Sequence, residues 1–168
     1  MNNRKNDTFE VLLRCFMKIA GLSQVALDAE LDLRGSRSVH RLLHGSLSQM
    51  DRLPGVIRCL GKHSAFHSQQ DVHRLMRILQ EETFRRLSKK RQQELTDIVA
   101  QVNAVCDDIK FPAQDPVKVY LIDKNKQALI IAKELNKYAL DQMRLDMTSS
   151  VHWIEVWRMS GDLLEMLS

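Results

Sequence analysis

Between residues 36 and 44, Ser36, Arg37, Ser38, His40, Arg41 and His44 interleave with Val39, Leu42 and Leu43. The three apolar residues fall at spacings of three and four, so on a helix they share one face and turn the hydroxyl, guanidinium and imidazole groups to the other. Arginine carries a planar fork of donors that fits phosphate oxygens and the acceptor edge of guanine. A short helix that is apolar behind and basic in front suits the major groove of double-stranded DNA. His40 and His44 share that outer face and read as groove or phosphate contacts.

Such a helix has to be held by its neighbours, and residues 20–45 supply them. Ser23 is placed to cap a helix on which Val25, Ala26, Leu27 and Leu31 form an apolar stripe. Arg34 and Gly35 follow as a sharp turn, Ser36 caps the second helix, and Gly45 ends it. Upstream, Thr8 is the expected cap of a helix carrying Val11, Leu12, Cys15, Phe16 and Ile19, closed by Gly21. Downstream, residues 46–49 form a polar loop. Residues 50–60 read as a closing helix with Pro54 in its first turn and Gly61 at its end.

With these pieces in order, residues 9–61 resemble the helix-turn-helix DNA-binding domains of the lambda-repressor and Cro type. GLSQ opens the second helix, SRSVHRLLHG is the third, and Leu53, Ile57 and Leu60 mark the fourth. Two positions and the turn depart from that pattern. Asp28 stands where the family usually has a small residue, Asp32 stands where it usually has glycine, and the turn is one residue longer. The resemblance implies that Gln24 touches the phosphate backbone and that Ser36, Arg37, Ser38 and Arg41 lie nearest the bases.

Charge is distributed in the same sense. Residues 1–94 hold 17 Lys and Arg against 10 Asp and Glu, whereas residues 95–168 hold 8 against 11. A basic front half suits phosphate contacts, to which Arg34 and the cluster from Arg85 to Arg91 would add. Three widely spaced cysteines in apolar helical patterns, Cys15, Cys59 and Cys106, read as buried thiols in a reducing compartment.

One metal-like spacing is present: Cys59, His63 and His67 stand four apart, with His73 beyond. Gly61 interrupts that helix and no second cysteine is close by, so no metal is expected. No cofactor is expected either, and no enzyme: GxxxxGK[ST], GxGxxG, HExxH and GxSxG are all missing. No leader-like apolar stretch opens the chain, and its longest apolar run, residues 128–132, is too short for a bilayer. A soluble, cytoplasmic protein without a membrane partner is the expectation.

Polar residues 62–70 lack periodicity and mark the expected domain boundary. Beyond it a helix runs through Val72, Leu75, Met76 and Leu79, and Ser88 either caps a new helix or lies within a continuous one. Leu95, Ile98, Val102, Val105 and Ile109 describe either a heptad seam between two chains or one face buried in its own domain. Residues 117–122 read as helix over a competing strand, and residues 125–147 as a long helix. Ser149 or Ser150 caps a last helix before Gly161 and an apolar tail. Trp153, Trp157, Leu163, Leu164, Met166 and Leu167 crowd that end and call for a covering surface, in the same domain or a second chain.

The expected architecture is all-α: a helix-turn-helix domain over residues 1–65, then a helical dimerisation or partner-binding domain over residues 66–168. The expected function is sequence-specific transcriptional regulation, by a homodimer on two-fold symmetric DNA, with room for a protein partner on the C-terminal domain. The alternative is a helical protein-interaction module, an adaptor or antitoxin-like inhibitor that binds no DNA.

Overall fold

A computed structural model describes residues 7–31, 38–43, 47–112, 126–146 and 150–168. The protein is all-α, with eight α-helices and no strand among those residues. It divides into two compact units, Met1–Pro112 and Ala113–Ser168. No helix among the described residues is long and apolar enough to cross a membrane.

The first unit is built round α1 (Asp7–Ala20), whose Phe9, Leu12, Leu13, Cys15, Phe16 and Met17 are all buried. The first amides of a helix have no partner within it, and those of a helix as buried as this one need one from elsewhere in the fold. The carboxylate of Glu82 meets them: Oε1 accepts from the Thr8 amide at 3.0 Å and Oε2 from the Phe9 amide at 3.2 Å. Thr8 thus lies inside the first turn instead of capping it. Gly21 closes α1 as expected, with φ at +72° and a crossed pair of bonds, Leu22 N–H to the Met17 carbonyl and Gly21 N–H to that of Lys18.

Glu82 belongs to α5 (Gln69–Thr83), so the expected boundary at residues 62–70 falls inside this unit. Ala65 and Phe66 in that stretch are buried, and the Phe66 ring lies 4.9 Å from that of Phe16. Ser68 caps α5 by accepting from the Gln70 amide. Two further helices pack together, α2 (Gln24–Glu30) and α3 (Ser38–Leu43), and a 3₁₀ turn over Leu47–Arg52 contacts α3.

The closing helix is α4 (Leu53–Lys62), with Pro54 in its first turn as the sequence predicts. Gly61 was expected to end it and does not: it keeps a helical backbone within the last turn, and the left-handed residue is Ser64, at φ 59°. Glycine at position 61 answers to packing instead. A Cβ there would stand 2.8–2.9 Å from three side-chain atoms of Ile109. Ile109 follows α6 (Lys89–Val105), which Ser88 caps and which packs on α4. Of the supposed seam, Leu95, Val102 and Val105 are buried within the unit, with Val99 beside them, and Ile98 and Ile109 are half-buried, so most of it is a face turned inward in its own unit.

In the second unit α7 (Lys126–Leu145) and α8 (Ser150–Leu167) pair antiparallel. Asn136 donates to the Trp157 carbonyl and to Ser160 Oγ, and Tyr138 meets Trp153 edge to face at 5.4 Å. Gly161, expected to separate a helix from a tail, sits buried within α8, which continues to Leu167. The helix expected at residues 117–122 lies outside the described residues.

The Gly61 contact has a measurable sign. In a helix interior alanine is favoured over glycine by about 1 kcal/mol, whereas overpacking a filled contact costs about 1–3 kcal/mol. Gly61→Ala is therefore expected to lower stability by roughly 1 kcal/mol in urea unfolding. In an Ile109→Ala background, where the obstruction is gone, the same substitution should raise it.

Candidate functional site

Two arrangements bear on function, and both involve α2. Ser23 caps this helix as expected, its Oγ accepting from the Ala26 amide at 3.1 Å. Leu27 turns inward and is fully buried, while Val25, assigned to the same stripe, is 67% exposed. With seven residues α2 can offer only a narrow apolar face, and Val25 falls beyond it.

On α3 the expected phase is observed. Val39, Leu42 and Leu43 are buried, His40 and Arg41 are exposed, and the helix rests on α1 and α2. Gln24 opens α2 half-buried. Arg34, Ser36, Arg37 and His44 lie outside the described residues, as does the side chain of Ser38. The sequence did not assign a role to Asp28, although this residue positions α3: its Oδ1 accepts from the Val39 amide at 3.2 Å. Asp28 is buried, and its Oδ2 has no hydrogen-bond partner among the described residues. Burial raises its pKa above the ordinary 3.8, and the Val39 N–H offsets part of that rise.

The second arrangement lies where the ends of α2 and α4 meet. Glu30, the last residue of α2, meets Cys59 and His63 from the end of α4. The Cys59 thiol donates to Glu30 Oε2 at 2.9 Å, and His63 Nε2 lies 2.8 Å from Oε1 and 3.0 Å from Oε2. The sulfur, the imidazole nitrogen and a carboxylate oxygen all fall within 4.8 Å of one another. Because Gly61 leaves α4 unbroken, Cys59 and His63 share a face after all. His67 is not among the three; its backbone amide donates to Asp71 Oδ2. Hydrogen bonding from the Cys59 thiol, supported by His63 and Lys62, holds the Glu30 carboxyl below its usual range. Burial, reinforced by that carboxylate, pushes the Cys59 thiol up to about 12.

Comparison with known protein families, with curated proteins and with solved structures finds no match for this chain.

Asp28 makes a prediction with a definite direction. Its folded-state pKa lies above the unfolded value, so its contribution to stability is complete below about pH 3.8 and declines as pH rises through the folded value. Asp28→Asn removes this titration. The stability difference between wild type and variant should fall across that window and then level off. A difference that stays flat through acid would contradict the buried carboxylate.

Proposed function

We propose that the protein is a sequence-specific DNA-binding regulator of transcription, cytoplasmic and without catalytic activity. In this reading it acts as a homodimer on a two-fold symmetric site, α2 and α3 being its helix-turn-helix. The observation that carries the reading is the rotational setting of α3. Its apolar residues are buried and His40 and Arg41 face outward, on the surface that would enter a major groove. Arg37 and Arg41 read bases, with Ser36 and Ser38 beside them. Gln24, Arg34, His40, His44 and the exposed Arg85, Arg86, Lys89 and Lys90 contact phosphates and groove walls. The excess of cations in residues 1–94 supports such contacts.

Dimerisation has its own support. Ile131, Leu135, Tyr138 and Leu145 are exposed along one side of α7, a stripe that a second copy would cover. Two short reading helices on one duplex bind far more tightly than one. The same stripe is what favours the second reading, a helical adaptor or inhibitor that meets a partner protein and binds no DNA.

Selection of binding sites from a random DNA pool separates the two. The regulator should enrich a two-fold symmetric sequence, and its affinity should fall steeply with salt. Arg41→Ala should weaken specific binding by about 1–3 kcal/mol with helical content unchanged. Leu42→Ala should instead destabilise the fold by about 2–5 kcal/mol, because that side chain is buried. Absence of enrichment by the folded protein would favour the adaptor reading.

A further inference from the structure

We propose that Glu30, Cys59 and His63 form a binding site for one Zn²⁺ ion, with water in the fourth position. The site is independent of the DNA-binding reading, since it uses no residue assigned to the duplex.

Geometry is the first support. Zinc takes thiolate, imidazole and carboxylate together, at about 2.0–2.3 Å each, which puts tetrahedral ligands about 3.3–3.6 Å apart. The three donor atoms already lie within 4.8 Å of one another, and the hydrogen-bonded pairs stand at 2.8–3.0 Å. Small side-chain rotations suffice to admit the ion. Cys59 and His63 project from successive turns of one helix end, and Glu30 comes from the end of another, so two rigid backbones frame the site. Both helices present their carboxyl ends, where the peptide dipoles favour a cation.

Access and chemistry agree with this. The Cys59 sulfur is buried at the floor, while the side chains of His63 and Glu30, 36% and 40% exposed, leave the mouth open to solvent. Soft sulfur with borderline nitrogen and one oxygen selects zinc over magnesium or calcium, which prefer oxygen alone. On binding, the Cys59 thiol proton leaves to solvent and the Nε2 proton that His63 now donates to Glu30 is exchanged through solvent for one on Nδ1, so that sulfur, a carboxylate oxygen and the freed Nε2 lone pair coordinate. Besides His63 itself, Lys62 places a positive charge near both Glu30 and Cys59. It is exposed, and its flexible stem can carry the ammonium away into water. Bound metal would fasten the end of α2 to the end of α4, leaving a single exchangeable position.

The full chain, stripped with a chelator, should be titrated with Co²⁺ as a spectroscopic stand-in. One equivalent is expected to give a thiolate-to-cobalt charge-transfer band with tetrahedral visible bands, all erased by Zn²⁺, and Zn²⁺ should raise the melting temperature. Cys59→Ser should abolish the charge-transfer band. His63→Gln and Glu30→Gln, at the exposed rim, should weaken binding tenfold or more while circular dichroism stays unchanged. These two keep the test sound if the buried Cys59→Ser chain fails to fold. A folded wild type without the band would overturn the site, and so would a band that survives His63→Gln and Glu30→Gln undiminished.

Discussion

The amide end of α1 is the constraint on which the first unit depends. This helix is the centre of the core, and its first N–H groups, which have no partner within the helix, stand where the packing only partly admits solvent. The chain satisfies them with a carboxylate 73 and 74 residues away, Glu82 on α5, which also complements the positive end of the helix dipole. A fold closing at residue 65 would leave those amides bare and Phe16 without the ring of Phe66. The unit therefore runs on through α5 and α6 to Pro112, where compactness ends.

The same economy governs α2 and α3. A buried carboxylate is costly, and Asp28 keeps one oxygen unpaired among the described residues. What it secures is a bond from α2 to the first turn of α3, across 11 residues of chain. Six residues are too few to hold a helix by their own propensity, so α3 exists because Asp28, α1 and α2 hold it. At this position the chain departs from the helix-turn-helix pattern, and here the departure has a physical role. The side chain that replaces a small residue is the one that orients the proposed reading helix.

Much of this was legible in the residues because it is local. Ser23 and Gly21 announce their helix ends, and the three-four spacing of Val39, Leu42 and Leu43 fixes which side of α3 faces water; Ser88, which left a cap and a continuous helix both open, proves to cap α6. What escaped was set by partners far along the chain. Gly61 looks like a terminator until Ile109 is seen against it. Residues 62–70 look like a linker because their two apolar residues, Ala65 and Phe66, are too few to show a period. Glu30 could not be joined to Cys59 and His63 without knowing that the ends of α2 and α4 converge, though the Cys59 to His63 spacing already marked half of the cluster.

The second unit raises a different problem of burial. Two helices bury against each other only one stripe apiece, and here that stripe is small or flat: Ala132, Ala139, Ser160 and Gly161 let the backbones approach, with Met143, Ile154 and Trp157 filling the seam. Ile131, Leu135, Tyr138 and Leu145 lie one quarter-turn away and stay exposed. A pair of helices has too few sides to cover both stripes, so the larger side chains are left for a third helix from elsewhere. In the proposed dimer a second copy of the hairpin would supply two such helices at once, with identical stripes facing each other across a two-fold axis. That symmetry of the proposed dimer would match the two-fold DNA site.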